Sequence, residues 1–318
     1  MHPIIILVVQ RIALGLLLLL GVSALIFLGV EALPGDTAQA IMGQSATVQA
    51  LENFRVEHGL NDPALVRYGR WLAGILQGDL GVALTNGEDI AASMGKRLGN
   101  TLFLAFWAAV IAVPLAITLG LIAARYAGRW PDKLISGVTL TTISLPEFVV
   151  GYIVIYFLAV RWQILPSMAM VFPGMGVFER LQAIMSPVIV LVLVVLAHMM
   201  RMTRAAILNV MQSAYIETAE LKGLTPMAVI ARHAFPNAVA PVVNVVMLNL
   251  AYLVVGVVVV EVVFVYPGMG QYLIDHVSKR DLPVVQACGL VFAAIYIGLN
   301  IAADVMSILA NPRLRHPK

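Results

Sequence analysis

One acidic side chain, Glu147, lies in the middle of an otherwise uncharged apolar stretch, residues 134–160, directly after Pro146. A carboxylate at the centre of a bilayer costs about 2.5 to 3.5 kcal/mol on insertion scales unless it faces water, a partner or a cavity. We therefore predict that Glu147 points away from lipid. It either lines a path for a solute, where it could meet a cationic group, or is a protonated or paired carboxyl between helices.

Other polar residues lie in later apolar stretches. Residues 241–260 already span about 30 Å at a helical rise of about 1.5 Å per residue, which places Glu261 at the membrane interface with a small burial cost. Asn244, Asn249 and Asn300 could donate hydrogen bonds to a neighbouring helix or contact a solute.

The sequence contains no catalytic or nucleotide-binding pattern. The nearest approach to a phosphate-binding loop runs from Gly87 to Gly95-Lys96-Arg97, with the wrong spacing and no Ser or Thr after the lysine. The histidines are scattered, Cys288 is the only cysteine, and the basic residues form no patch for nucleic acid. We predict that the chain is no enzyme and binds no metal, with His233 in a structural role.

Residues 213–237 form the most informative polar segment. Good helix formers run to Lys222, Gly223 supplies a stop, and Thr225 followed by Pro226 is typical of a new helix start. We predict two short helices joined at Gly223, the second ending near Pro236. The small residues Ala219 and Gly223 would let another protein approach the backbone, although a folded connector is an equal alternative.

The elements that must position these residues are membrane helices. Of 318 residues, 61% are apolar and 12% are charged, about half the charged fraction of a soluble domain. Six stretches are long and apolar enough to cross a bilayer as helices: residues 12–30, 99–124, 134–160, 181–200, 234–260 and 282–303. The first is too long for the core of a secretory signal.

Basic residues predict the orientation of these spans. Eleven Lys and Arg residues lie on the side of the two termini, including Arg313, Arg315 and Lys318, against four in the short loops of the other side. Both termini are therefore predicted to face the cytoplasm. The division of the chain is then a tail and first span (1–30), an external segment with helix-like spacing (31–98), a core (99–309) and a cytoplasmic tail (310–318).

The register of residues 213–237 resembles the cytoplasmic signature of the membrane permeases of ATP-binding-cassette (ABC) importers, specifically their dipeptide and oligopeptide group. That signature has Glu-Ala-Ala, three residues, Gly, nine residues and Ile-x-Leu-Pro; here it reads Glu217-Thr218-Ala219, Gly223 and His233-Ala234-Phe235-Pro236. Thr218, His233 and Phe235 differ from the general signature.

The resemblance extends along most of the chain. Further segments resemble the family in the expected order: 58–60 (His-Gly-Leu), 77–81 (Gln-Gly-Asp-Leu-Gly), 144–146 (Ser-Leu-Pro), 263–264 (Val-Phe), 267–270 (Pro-Gly-Met-Gly), 280–286 (Arg-Asp-Leu-Pro-Val-Val-Gln) and 311–313 (Asn-Pro-Arg).

This resemblance implies an all-α polytopic membrane protein with six transmembrane helices and a MetI-like ABC importer permease fold, in the bacterial inner membrane. It implies a second homologous permease, two ATPase subunits that bind ATP and Mg²⁺, and an extracytoplasmic substrate-binding protein as partners. The residues that it assigns to ATPase coupling are Glu217, Thr218, Ala219, Lys222, Gly223, His233 and Pro236.

The cargo remains open among dipeptides, oligopeptides, nickel complexes, glutathione and sugars. The predicted substrate path is Glu147, Asn244 and Asn249. The alternative function is an ion-coupled secondary transporter, in which Glu147 would hold the proton or ion.

Overall fold

The computed structural model describes the backbone of residues 3–310 and the side chains of residues 8–307. Within that part the chain forms fourteen α-helices and two π-helical segments. The α-helices are α1 Pro3–Glu31, α2 Thr37–Met42, α3 Val48–Glu57, α4 Ala64–Leu76, α5 Ile90–Arg125, α6 Trp130–Ser144, α7 Glu147–Val154, α8 Val177–Met211, α9 Ala214–Leu221, α10 Pro226–Val229, α11 Phe235–Gly256, α12 Val258–Val263, α13 Met269–Ser278 and α14 Leu282–Ala310. The π-helical segments are Ile155–Arg161 and Ile230–Ala234.

Five helical runs in the described part are long and apolar enough to cross a membrane: Val8–Glu31, Ile90–Arg125, Val177–Met211, Pro226–Val263 and Leu282–Ser307. They contain or largely overlap five of the six predicted spans. The run Val177–Met211 extends well beyond the predicted 181–200, because its helix continues past Arg201 toward the polar segment. The basic residues Arg313, Arg315 and Lys318 and the segment 311–313 lie outside the described residues.

The third predicted span is not one straight helix. Trp130–Ser144 and Glu147–Arg161 are bent by 105° at their junction, and the pair counts as a sixth span only if it is taken as one. Leu145 is extended there, with ψ 135°. Pro146 disfavours a helical residue before it and has no N–H to continue the hydrogen-bond ladder, which accounts for the break.

The core of the molecule lies between α5 and α8. The buried side of α5 carries small residues at four-residue spacing, Ala108, Ala112, Ala116 and Gly120. A methyl group on Gly120 would lie 2.9 Å from the Thr203 Cβ. Helices approach this closely only where such small residues line the contact, as is common in membranes.

The helix-like spacing predicted within residues 31–98 is confirmed by α3 and α4. Asp36 begins α2, and its carboxylate accepts hydrogen bonds from the Gln39 N–H at 3.1 Å and from Arg55 Nη2 at 2.7 Å. The Arg55 guanidinium holds the pKa of Asp36 below its usual value. The hydroxyls of Tyr68 on α4 and Ser23 on α1 lie 2.9 Å apart, so this segment rests on the end of α1.

A buried carboxylate also connects this segment to α14. Asp281, just before α14, is fully buried. It accepts hydrogen bonds from the N–H groups of Leu84 and Thr85, at 3.2 and 2.9 Å, and from the Thr85 hydroxyl at 2.7 Å. The loop before α5 is thereby fixed to the start of the last long helix.

Candidate functional site

In the polar segment 213–237, helix α9 has one exposed face and one buried face. Glu217, Thr218 and Lys222 are exposed, and Leu221 is 82% exposed. On the other side Ile216 and Ala219 are buried against α8 and the start of α11. Ala219 is only 5% exposed, so the expectation that it offers a close approach to another protein is wrong. Its small side chain instead lets α9 pack closely on its own neighbours.

Gly223 ends α9 with a left-handed backbone, φ +78°. Its N–H donates to the Glu220 carbonyl at 2.9 Å, and the Leu224 N–H donates to the Ala219 carbonyl at 3.4 Å. These two bonds, made by the residues that follow the cap Lys222, form a Schellman motif, in which glycine avoids the steric cost of the left-handed conformation. The predicted joint between two short helices is therefore present.

The second short helix begins as the sequence predicts but does not end there. Thr225 Oγ1 accepts the Ala228 N–H at 3.4 Å, which caps α10. The prediction that this helix stops near Pro236 is wrong, because the chain continues through a π-helical turn into α11. In that turn the Phe235 N–H donates to the Ile230 carbonyl five residues back. Pro236, whose ring would crowd the carbonyl four residues back in a regular α-helix, lies directly after this wider turn.

His233 and Pro236 therefore lie at the base of this segment, in the turn that leads into α11. His233 is half-buried, and its carbonyl accepts a hydrogen bond from Asn237 Nδ2 at 2.8 Å. Pro236 is exposed. They belong to different elements from the exposed side chains of α9. The seven predicted coupling residues therefore comprise exposed positions at α9, the buried Ala219, the left-handed Gly223 and the turn that leads into α11.

A salt bridge that the sequence analysis missed joins α8, which leads into the segment 213–237, to the bent pair of helices. Arg204 on α8 donates from Nε and Nη2 to the two carboxylate oxygens of Asp132 on α6, at 2.7 and 2.6 Å. The Gly128 N–H and the Ser136 hydroxyl also donate to this carboxylate. Asp132 is buried, and a two-pronged Arg–carboxylate pair of this kind fixes orientation as well as distance.

Glu147 begins α7, directly after the 105° bend. Its Oε1 accepts a hydrogen bond from the hydroxyl of Tyr252 on α11. The Tyr252 ring lies over Gly256, where a methyl group would come within 3.0 Å of it. Glu147 is thus half-buried and paired with a neutral hydroxyl, so the structure contains the predicted helix-to-helix contact and still leaves the carboxylate partly accessible.

Two of the predicted asparagines donate hydrogen bonds within their own helices. Asn249 Nδ2 donates to the Val245 carbonyl of its own helix at 2.8 Å, and Asn300 Nδ2 donates likewise to the Tyr296 carbonyl at 2.8 Å. Asn244 is half-buried on α11. The structure therefore brings Glu147 together with Tyr252, a residue that the sequence analysis did not single out.

Glu261 is fully buried, which corrects the expectation of a carboxylate at the membrane interface with little burial cost. It accepts hydrogen bonds from the Thr101 hydroxyl at 2.6 Å and from the N–H groups of Gly270 and Gln271 at 2.7 and 3.2 Å. The chain turns back over it, and the N-terminus of α13 supplies donors to the anion. The depth of Glu261 counted along its own helix could not show that the following segment folds back over it.

The same junction contains the family-like segment 267–270. A methyl group on Gly268 would overlap the Glu261 carboxylate, and one on Gly270 would lie 2.6 Å from the Val258 Cα. Asn100 Nδ2 donates to the Pro267 carbonyl at 2.9 Å. The two glycines are therefore required for the carboxylate to reach α13.

Among the described residues no group of three or more His, Cys, Asp or Glu side chains is arranged to hold a metal ion. The candidate site thus consists of the exposed side of α9, the Arg204–Asp132 salt bridge and the Glu147 carboxylate beside the bent helix pair.

Comparisons with known sequences match nearly the whole chain. The family model described as binding-protein-dependent transport system inner membrane component matches residues 116–316. A second model, for the N-terminal part of such membrane components, matches residues 4–105. The chain is 31% identical over 309 residues to the probable peptide ABC transporter permease protein y4tP of Sinorhizobium fredii, covering 97% of this chain and 99% of that protein.

Two further comparisons concern a bacterial relative and a solved structure. The chain is 35% identical over 310 residues to the glutathione transport system permease protein GsiC of Escherichia coli K12, covering 97% of this chain and 98% of that protein. A structure of the MetNI methionine ABC transporter in inward-facing conformations aligns with a TM-score of 0.50 and 18% identity, over 70% of this chain and 96% of that one. At that identity the likeness concerns the fold.

Proposed function

We propose, since this chain belongs to the family of binding-protein-dependent transport system inner membrane components, that it is the permease subunit of an ABC importer for peptides. The single observation that carries the proposal is the exposed edge of α9 placed before a Schellman turn, within a chain of that family. The names of the relatives from Sinorhizobium fredii and Escherichia coli support a peptide-like cargo. The protein is a multi-pass component of the bacterial inner membrane.

The proposed assembly contains a second homologous permease, two ATPase subunits and an external substrate-binding protein. ATP and Mg²⁺ would be bound by the ATPases. Both termini and the segment 213–237 would face the cytoplasm, and the segment 31–98 would face outside. The excess of basic residues on the side of the termini supports this orientation.

The proposed mechanism is alternating access. Closure of the ATPases around ATP would displace α9, which is continuous through a short turn with α8. Because Arg204 on α8 holds Asp132 on α6 by two hydrogen bonds, α6 would follow that displacement. The bend at Pro146 would then reorient α7 and carry Glu147, so that a solute path between the helices would change the side to which it opens.

Replacing Leu221 by aspartate tests whether the ATPase binds the exposed side chains at α9. We call this surface, formed by Glu217, Thr218, Leu221 and Lys222, the docking edge. This side chain is 82% exposed, so the substitution leaves the fold intact but places a charge in an apolar contact with the ATPase. We expect ATP-dependent uptake into proteoliposomes, and co-purification of the ATPases, to fall about fivefold, which corresponds to about 1 kcal/mol. The control is Val48→Asp, at an 83% exposed position on α3 in the external segment.

Two results would overturn the proposal. Leu221→Asp could retain the ATPases and transport as well as Val48→Asp does. Alternatively, uptake could survive removal of the ATPases and collapse with the proton gradient, which would identify an ion-coupled carrier.

Replacing Glu147 by glutamine tests the substrate path. Glutamine keeps the shape and the acceptor for Tyr252 but loses the charge that would hold a peptide's amino terminus. We expect kcat/KM for peptides with a free amino terminus to fall about tenfold, since hydrogen bonds to charged groups contribute about 1.5 to 3 kcal/mol. Uptake of the N-acetylated peptides, which lack that cation, should not change. Equal effects on both classes of peptide would exclude recognition of the cation by Glu147.

A further inference from the structure

Three family-like segments that the proposed function does not use meet at one cavity on the proposed external side. Residues from 58–60, 77–81 and 280–286 line it, together with the end of α1 and one side of α4. Its volume is about 650 Å³, and neither Glu147 nor Tyr252 belongs to its lining. A cavity of this size holds a small molecule or a side chain of another protein.

The lining of this cavity is net acidic. Four carboxylates face two guanidinium groups, which gives a charge of −2. Two of the carboxylates are neutralised within the lining, because Arg67 donates to Glu31 and Arg70 Nη2 donates to Asp62 Oδ2 at 2.8 Å. Both guanidinium groups are used in these pairs. The cavity therefore contains two negative charges that no cation of its lining offsets.

Glu57 and Asp79 are the two carboxylates without a cation. Both side chains are exposed, and neither forms a salt bridge in the part of the chain that the structure describes. Asp79 Oδ1 accepts the Gly81 N–H at 2.8 Å, which leaves Oδ2 available to a ligand. Glu57 is the last residue of α3, whereas Asp79 lies in the turn after α4. Exposed carboxylates are ordinary on a protein surface, so a ligand site needs a further observation.

That observation is a buried amide that opens onto the same cavity. Gln286, on α14, lines the cavity and is only 7% exposed. Its side chain makes no hydrogen bond to another described residue, and it is not enclosed as the Trp71 indole nitrogen is. Buried amide groups are nearly always hydrogen-bonded, since an unmade bond there is unfavourable. The partner of Gln286 must therefore come from the cavity.

His58 adds one more acceptor to the lining. Its Nδ1 lies 3.0 Å from the Phe54 carbonyl oxygen. Because a carbonyl only accepts, Nδ1 carries the proton, and Nε2 of the neutral ring is an acceptor. The centroids of the His58 and Phe54 rings are 4.2 Å apart, so the ring is held in place. His58 and Gln286 thus add neutral acceptors to the two free carboxylates.

The remaining wall indicates an organic cation. Among the described residues no group of three or more His, Cys, Asp or Glu side chains is placed to hold a metal ion. Apolar side chains complete the lining, among them Leu60, Leu80, Val82 and Leu282. They suit an aliphatic stem. An ammonium has three donors, whereas a guanidinium has five in a planar fork and is more weakly hydrated, which fits acceptors from several segments better.

We propose that this cavity binds a cation of the arginine type, a guanidinium group on an aliphatic stem. The guanidinium donates to the carboxylates of Glu57 and Asp79 and to the amide oxygen of Gln286, and the stem packs on the apolar wall. The same group occurs in short peptides free in solution and in arginine side chains of proteins outside the membrane. This site is separate from the path at Glu147 and goes beyond the proposed function.

Binding of N-acetylarginine methylamide to the purified full-length chain tests the site. The reference probe is N-acetylcitrulline methylamide, which has nearly the same shape and no charge. We expect the arginine probe to bind about tenfold more tightly, with Kd measured by microscale thermophoresis. Glu57→Gln should weaken its binding about fivefold and leave the citrulline probe unaffected. The matched control is Glu88→Gln, an exposed position of the same external segment outside the lining, which should change neither Kd.

Gln286→Met tests the amide separately. Methionine keeps the approximate shape of the side chain, and no hydrogen bond between described residues is lost, so the thermal stability of the chain should not change. We expect binding of the arginine probe to weaken about threefold. Lower thermal stability of Gln286→Met would show that the amide has a partner within the protein, which would overturn its role in the site.

The remaining outcomes decide the proposal and the source of the cation. Equal binding of the two probes, or equal Kd values for Glu57→Gln and Glu88→Gln, would overturn the site. These measurements use the chain alone and do not depend on the proposed function. A second arm rests on that function and uses the assembled importer with its external binding protein. Displacement of that protein by saturating arginine probe would identify the cation as one of its arginine side chains, whereas occupancy by the probe with the protein still bound would identify a free solute.

Discussion

Replacing Gly270 by alanine is expected to remove most of the folded protein from the membrane. The new methyl group would lie 2.6 Å from the Val258 Cα, 2.8 Å from the Val258 Cγ2 and 2.9 Å from Glu261 Oε2. A backbone atom cannot move aside as a flexible side chain can, so α13 must shift away from α12. We expect a cost of about 3 kcal/mol, at the upper end for an overpacked core.

The shift would also leave Glu261 without its donors. The carboxylate is fully buried and depends on the Gly270 and Gln271 N–H groups and the Thr101 hydroxyl. A buried charge that loses its partners costs several kcal/mol more, so the two effects act together. Size-exclusion chromatography of detergent-solubilised protein should show at least about a tenfold fall in monodisperse material, the equivalent of 1.4 kcal/mol or more.

Gly99→Ala is the matched control for this substitution. Gly99 lies on α5 beside Asn100 and Thr101, and nothing lies within 4 Å of a methyl group added there. Alanine in a helix interior is about 0.5 to 1 kcal/mol more favourable than glycine, so Gly99→Ala should accumulate at least as well as the unchanged protein. If Gly270→Ala accumulated to the same level, α12 and α13 could not pack as described.

The membrane helices could be predicted because a charge-free apolar run of about 20 residues has few alternatives in lipid. The run at 134–160 shows the limit of that argument. Pro146 indicated a break, but the angle of 105° depends on the packing of α7 against α8 and α12, which come from distant parts of the chain. Composition along one segment contains no information about those neighbours.

Burial of single polar residues was harder to predict, for a related reason. Glu261 looked accessible because its depth was counted along one helix, whereas the segment that covers it follows in the chain and folds back. Asp132 and Arg204 are separated by 72 residues, and neither is unusual in its own surroundings. Such pairs become visible only when the helices that carry them are placed side by side.

The segment 213–237 shows which features of a site local sequence does determine. The Gly223 stop and the Thr225 cap depend on bonds within a few residues, and both predictions hold. The direction of Ala219 depends on which side of an eight-residue helix meets α8, and this helix carries apolar residues on two sides, Ile216 and Leu221. Ile216 is buried and Leu221 is exposed, which places Ala219, three residues after Ile216, on the inner face.

Replacing Gly223 by valine is expected to give normal amounts of protein that transports poorly. Nothing lies within 4 Å of a side chain added here, so there is no steric clash to unfold the chain. The φ of +78° is nevertheless costly for a β-branched residue, by about 1 to 3 kcal/mol. Relief of that strain breaks the Schellman turn and redirects α9 relative to α10, so the docking edge no longer matches its partner.

We expect ATP-dependent uptake to fall on the order of thirtyfold, the equivalent of about 2 kcal/mol, with unchanged thermal stability of the isolated chain. Gly223→Asn should retain most of the uptake, since asparagine adopts the left-handed conformation at lower cost. Gly43→Val introduces backbone strain at least as large, at a φ of +81° and a ψ of 172°, also with nothing within 4 Å, but in the external segment at the end of α2. If Gly43→Val impaired uptake as much as Gly223→Val, general strain would explain both results. If only Gly223→Val impaired it, and Gly223→Asn did not, the left-handed turn after α9 would be the feature through which the ATPases act on the membrane helices.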